Sequence, residues 1–467
     1  MKKGFLGVWV LLAAGLWLGA CTQLKEGECK RDSHCDSMAK QKGAVWVCYK
    51  EPADAEIGTC MPAKDAKQAL ERYKKKLSGK CEDKDGDGVK AGDACDPPVD
   101  CNDNDKAVHP RATEICDAKD NDCDDVINEG QKRCVGTVLG GKRDPVCQFM
   151  TTMTSGVEVA PNGEIWVSDQ HQIYKIDSSD KAHRIAGSNK PGHEDKKGNF
   201  ARFDQPVGMA IAADGTVYVA ECENNCVRRL SADGQVSVWA GLCSNQADNT
   251  GLDKVGKWDE ARFWCPTDVV FDEDGSLLVV DRLNSKIKRI TKDRQVEHVA
   301  GLGGKETEEG VEFGHSSGPA KKAEFNEPVS IARGSDGSYY IADMNNNCVR
   351  QLKGGRVSDF AGVCGKVDID AASFADGPAG SAKFKRPNGI AVGRDGVIWV
   401  ADTGNHCIRR IEGGKVSTAA GKCKQQGYYD GAIDEALFNQ PITIDVDKGG
   451  ALWVVDLGNY RVRRVYP

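Results

Sequence analysis

The chain has 467 residues, 63 basic against 70 acidic, a formal charge of −7 and 28% charged residues. That is roughly two to four domains' worth at about 100–200 residues each, which excludes a single small module. The charge balance excludes both a wholly basic nucleic-acid binder and a strongly acidic disordered chain, while 53 glycines and 20 cysteines point to many tight turns and an oxidising compartment.

Lys2 and Lys3 precede an apolar stretch from Phe5 to Ala20 that is too short and too abruptly ended for a membrane span. It closes on Leu18-Gly19-Ala20-Cys21, which resembles the lipobox of bacterial lipoprotein signals. The resemblance implies that residues 1–21 are a signal peptide, that Cys21 is lipidated, and that the lipid ties the protein to a membrane of the bacterial cell envelope. Thr22, where Asp would mark retention, resembles the outer-membrane sorting pattern, with either a periplasmic or a surface-facing orientation. The alternative is an ordinary signal peptide with Cys21 in a disulfide; both readings export the chain.

Residues 22–62 form a small cysteine-rich module: Cys29, Cys35, Cys48 and Cys60 stand in a polar stretch with almost no core, so two disulfides substitute for one. Residues 63–80 read as a charged helical linker, with Glu71 four residues before Lys75 and Gly79 at its end. Residues 81–130 hold 16 acids against 5 bases. A like-charge run is usually a solvated tail, but five interspersed cysteines argue otherwise. Asp83-Lys84-Asp85-Gly86-Asp87-Gly88 converges carboxylates on a tight loop, as hard divalent cations require. The twelfth loop position is Ala94 in place of the EF-hand Glu, leaving Asp93 as a substitute.

With the later clusters at 100–105 and 117–129, this stretch resembles the MopE-type metal-binding repeat of bacterial surface proteins. The resemblance implies Asp83, Asp85, Asp87, Asp100, Asp103, Asp105, Asp120, Asp122, Asp124 and Glu129 as ligands. Arg111, Ala118, Asp125 and Asn128 depart from the family pattern and loosen the last loop. Oxygen ligands select calcium, in a structural role, over zinc or copper.

Residues 131–467 repeat. Ala-x-Phe-x-x-Pro occurs at Ala201, Ala261, Ala323, Ala382 and Ala436, and a turn pair such as Asp395-Gly396 follows eight residues after each Pro. Seven residues later stands an acid: Glu221, Asp281, Asp343, Asp402 or Asp456. A sixth copy without the Phe and Pro carries Asn162-Gly163 and Asp169. β-rich runs flank each turn, so every unit is predicted to be a four-stranded antiparallel sheet, and six units make an all-β, six-bladed β-propeller. The runs Arg386-Pro387-Asn388-Gly389-Ile390 and Trp399-Val400-Ala401-Asp402-Thr403-Gly404-Asn405-His406 resemble NHL repeats, a family whose fold is also the six-bladed propeller. The last unit stops after its third strand, and a segment near 134–141 resembles a stray fourth; pairing it with Tyr460 to Tyr466 would close the ring.

Three cysteine pairs are predicted from antiparallel geometry: Cys226–Cys243, Cys348–Cys364 and Cys407–Cys423. Cys222 and Cys265 leave two readings open, a link between neighbouring blades or zinc, and export with repeated pairing favours the link. Eleven cysteines lie between Cys29 and Cys147, an odd number that leaves one thiol over. The register acids are read as caps for backbone N–H groups, and Arg228, Arg350, Arg409 and Arg463 as their partners.

Residues 150–467 carry 39 bases against 44 acids, so no nucleic-acid partner is expected. The most variable segments are the loops between units, where recognition concentrates on a rigid scaffold. The expected function is therefore a non-catalytic binding or scaffold propeller for a protein or glycan. The alternative is a propeller enzyme of lyase or lactonase type with a metal at the central channel.

Overall fold

The computed structural model describes residues 28–29, 46–49, 58–62, 134–140, 155–177, 180–243, 253–307, 310–365 and 374–467. The chain divides into two compact units. The first contains a three-stranded sheet of Glu28–Cys29, Trp46–Tyr49 and Gly58–Pro62, with the last strand in the middle.

The second unit is the six-bladed propeller. Blade 5 shows how one repeat folds: Pro387–Val392, Ile398–Asp402, Cys407–Glu412 and Lys415–Ala420 pair in sequence, each antiparallel to the last. Gly396 takes φ +81° in the first hairpin, and Asp395 Oδ1 accepts the Val397 N–H at 3.1 Å. That is why an Asp-Gly pair recurs there. The second strand is buried along its whole length because neighbouring blades cover both its faces.

Six inner strands surround the axis: Ser155–Val159, Pro206–Ile211, Pro266–Phe271, Pro328–Arg333, Pro387–Val392 and Pro441–Val446. Between blades the Ala-x-Phe motif supplies the core. Phe203, Phe263, Phe325, Phe384 and Phe438 are all buried, as are the five alanines two residues before them. Each such ring contributes about 1.5–3 kcal/mol, which repeats the same cement at five joints.

Blade 6 takes its outer strand from the other end of the propeller. Cys134–Gly140 pairs antiparallel with Arg461–Tyr466, from Arg461 opposite Gly140 to Tyr466 opposite Cys134. In blades 3 to 6 the expected four strands are five: Gly256–Lys257, Gly318–Pro319, Gly377–Pro378 and Gly431–Ala432 each lie on the outer strand of the following blade. The inter-blade loop thereby covers backbone groups that an open edge would leave bare.

Candidate functional site

Two sets of charge lie inside the propeller, and only one is a candidate site. The first is the register acids. Asp402 Oδ2 accepts from Arg409 at 2.7 Å and from Asn405 at 2.8 Å, and its Oδ1 accepts the Lys385 N–H at 2.8 Å. Arg409 also donates to the Lys383 carbonyl and to Asp376, and lies 5.1 Å over the Phe384 ring. The set recurs as Glu221 with Arg228, Asp343 with Arg350 and Asp456 with Arg463, at 2.9, 3.0 and 2.9 Å. In blade 3 Lys288 replaces the arginine, 2.7 Å from Asp281. All ten side chains are fully buried, and each acid is bonded to its cation and to the backbone before its own blade. They are structural locks.

A second lock joins successive blades. Asn225, Ser285, Asn347 and His406 sit in left-handed backbone at the start of the third strand. Their side chains accept the N–H of Cys265, Glu327, Arg386 and Gln440 in the next blade, at 2.8–3.1 Å. Burial, and then Lys385, lowers the His406 pKa, which keeps Nδ1 free as the acceptor. In the sequence His406 stands out only as the end of an NHL-like run; its lone pair is one of these joints. The propeller cysteines add four disulfides: Cys226–Cys243, Cys348–Cys364 and Cys407–Cys423 within blades, and Cys222–Cys265 between blades 2 and 3. Glu221 lies beside the first of these, but its sulfurs are bonded to each other and the carboxylate to Arg228, so the group is no metal centre.

The candidate site is the axial channel, a cavity of about 240 Å³ lined by all six inner strands. Two residues past each inner-strand proline stand Gly208, Asp268, Ser330, Gly389 and Thr443, and four past it Ala210, Val270, Ala332, Ala391 and Asp445. Gly156 and Glu158 hold these levels in blade 1. Glycine is required where strands crowd: a Cβ on Gly208 would lie 2.3 Å from Asp268 Oδ1.

Asp268 reaches blade 4, with Oδ2 accepting from Ser330 Oγ at 2.8 Å and the Ile331 N–H at 2.9 Å. Asp445 reaches blade 1, with Oδ2 accepting the Val159 N–H at 2.6 Å. Burial pushes Asp268 up to about 6, against the pull of its hydrogen bonds. It pushes Asp445 up to about 7. Burial and then the charge of Asp445 raise Glu158 well above the usual carboxylate range. The cavity's two cations are engaged elsewhere, Arg282 with Glu327 at 2.6 Å and Arg333 with Glu273 at 3.4 Å. No histidine lines it.

The three channel carboxylates were not singled out in the sequence, although a signal existed: charges stand at inward strand positions where other blades carry Gly, Ala, Val, Ser or Thr. Cys21 and the expected calcium ligands Asp83, Asp85, Asp87, Asp100, Asp103, Asp105, Asp120, Asp122, Asp124 and Glu129 lie outside the described residues. Cys134 is disulfide-bonded. Among the described residues, no helix is long and apolar enough to cross a membrane.

A family model described as the teneurin NHL domain matches residues 110–353 and 188–412. NHL repeat-containing protein 2 of Gallus gallus is 26% identical over 312 residues, 60% of this chain and 41% of its own length. Teneurin-4 of Mus musculus is 30% identical over 231 residues, 47% of this chain and 8% of its own. The chain thus spans less than half the length of either relative. An auxiliary nutrient binding protein from Bacteroides thetaiotaomicron VPI-5482 shares the fold, with a TM-score of 0.51 and 16% identity over 72% of this chain and 76% of that one. With the family match running through the repeats that build the blades, this chain belongs to the teneurin NHL-domain family.

Proposed function

We propose that the protein is a cell-envelope lipoprotein whose propeller is a non-catalytic binding platform for a protein or a glycan. In this reading Cys21 carries the lipid anchor, and residues 81–130 form a disulfide-rich stalk stabilised by calcium. One observation carries the binding role. The register acids and their cations are consumed in internal locks, while large apolar side chains project where outer strands end and third strands begin. Leu242, Leu302, Val363, Tyr428, Tyr429 and Tyr460 are 36–51% exposed there or in the loop that follows. Apolar surface on loops of a rigid scaffold marks recognition. The solved nutrient binding protein of the same fold fits this role.

The test is capture from bacterial cell envelopes, and from a glycan array, by the full chain and by a Leu302→Ser/Tyr429→Ala variant. Retention of one protein or glycan, lost in the variant, supports the platform; equal capture by both removes it. A separate calcium titration of thermal stability tests the stalk: no shift at millimolar calcium sinks that part.

A second reading, an enzyme of lyase or lactonase type, draws on the carboxylates of the channel, because an acid that holds its proton near neutral pH can act in proton transfer. Turnover of a lactone or a lyase substrate by the full chain, abolished by Asp268→Asn, would favour it over the platform.

A further inference from the structure

Glu158 and Asp445 occupy the same level of the channel on adjacent inner strands, Glu158 opposite Trp166 and Asp445 opposite Trp453 in their hairpins. Asp445 bridges the joint between blades 6 and 1 through the Val159 N–H, and its Oδ1 accepts the Val446 N–H at 2.8 Å. Asp445 therefore grips the residue next to Glu158. The charged groups acting on Glu158 are Asp445 and Asp268, both negative. The joint is otherwise apolar, with Leu139, Val157, Ile442, Trp453 and Val455 packed in it. It is also the place where the ring is sealed, because blade 6 is completed by Cys134–Gly140 from upstream of blade 1.

Among the described residues the surrounding elements supply no compensating charge. The inner strands of blades 2 and 5 carry no titratable residue. Blade 3 offers Asp268, and blade 4 offers Arg333, which is held by Glu273. Arg282 is held by Glu327, Glu164 in the blade 1 hairpin is paired with Lys175, and Asp447 adds a further negative charge beside Asp445. Asp456, at the far end of the second strand, is bound to Arg463.

We infer that this joint is a proton-operated clasp, in which loss of a proton from Glu158 or Asp445 sets two carboxylates at one level of the channel against each other where the ring closes. Like charges at one level of a narrow channel oppose each other's ionisation, so the pair titrates as a unit. The sign follows from linkage. In the unfolded chain both groups ionise near 4, whereas the folded pair keeps its proton to about neutral pH. The native state thus binds more protons across that window, and stability falls as pH rises through it.

Chemical denaturation of the full chain at pH 5, 6, 7 and 8 tests this, comparing wild type with Glu158→Gln. A retained proton makes the wild-type unfolding constant climb by up to about tenfold per pH unit within the window. Glu158→Gln removes the part of that climb that belongs to Glu158 and is the more stable protein at pH 8. Parallel pH profiles, or a variant less stable at pH 8, overturn the clasp. Stabilisation of wild type at pH 8 by added calcium or sodium, absent in the variant, also overturns it, because a cation and not a proton would then be the partner. If Glu158→Gln fails to fold, carboxyl 13C titration of wild type decides: coupled transitions with one above pH 6 support the clasp, and two independent transitions near 4 reject it.

Discussion

Asp402 and Asp445 stand one blade apart: Asp402 is fully buried and accepts the Lys385 N–H just before its own blade, while Asp445 is half-buried on the channel wall and accepts the Val159 N–H of blade 1. Asp402 also has Arg409 at 2.7 Å and Asn405 at 2.8 Å, so its charge is matched inside the protein. Asp445 shares its channel level with Glu158, and among the described residues no cation lies within ion-pair distance of it. Burial pushes Asp402 up to about 6 against the pull of Arg409, and pushes Asp445, which lacks such a partner among the described residues, up to about 7. An acid in a propeller cannot be assigned a role from its type or its burial; the counter-charge decides.

The largest effect belongs to the rim. Arg409→Met should cost about 3–5 kcal/mol by denaturant unfolding, because Asp402 stays behind as an unpaired buried charge. Adding Asp402→Leu should recover much of the loss, and no recovery would mean that the arginine serves by packing on Phe384 alone. Removing the Cys407–Cys423 link by a double Ser substitution should cost about 3 kcal/mol through the freed unfolded chain, with a separation of 16 residues; an unchanged midpoint would show that the ion pair and the Phe already fix that edge.

His406→Ala should cost about 1 kcal/mol at pH 8 by loss of one inter-blade bond. The folded His406 pKa is lowered, so its contribution is complete above the unfolded value near 6.5 and is lost as pH falls. His406→Asn, matching Asn225 and Asn347, should keep the bond and flatten that pH dependence. The smallest effect belongs to the axis. Asp268→Asn retains an acceptor for Ser330 and removes a costly charge, so it should change stability by under about 1 kcal/mol, favourably at pH 8 and not at pH 5. A loss as large as that of Arg409→Met would erase the distinction between rim and axis.

Most of the rim is legible in the sequence, because it repeats. The Ala-x-Phe motif, the acid after each turn and the cation seven residues on, arginine in four copies and Lys288 in the fifth, hold fixed offsets, and five copies expose one geometry. The axis does not repeat. Glu158, Asp268 and Asp445 come from blades 1, 3 and 6 at two levels, and they meet only because a ring brings distant inner strands together. Blade 1 also lacks the proline that sets the register in the others, so Glu158 could not be aligned with Asp445 by counting. Asn225, Ser285, Asn347 and His406 share a task but no residue type, since an acceptor in left-handed backbone is all it needs.

The sealing of blade 6 also fixes an order of events. Cys134 and Tyr466, opposite each other in that sheet, stand more than three hundred residues apart, at the two ends of the propeller. A chain made from its N-terminus produces Cys134–Gly140 first among the propeller strands, and that strand meets its main partner only when Arg461–Tyr466 has been made. Loss of Arg461–Tyr466 would leave Cys134–Gly140 held only by the two-residue strand Gly431–Ala432, with blade 6 open on a molecule whose other five blades are finished. Such a product offers a strand edge as a template for a second chain, so quality control for this protein rests on that one six-residue strand.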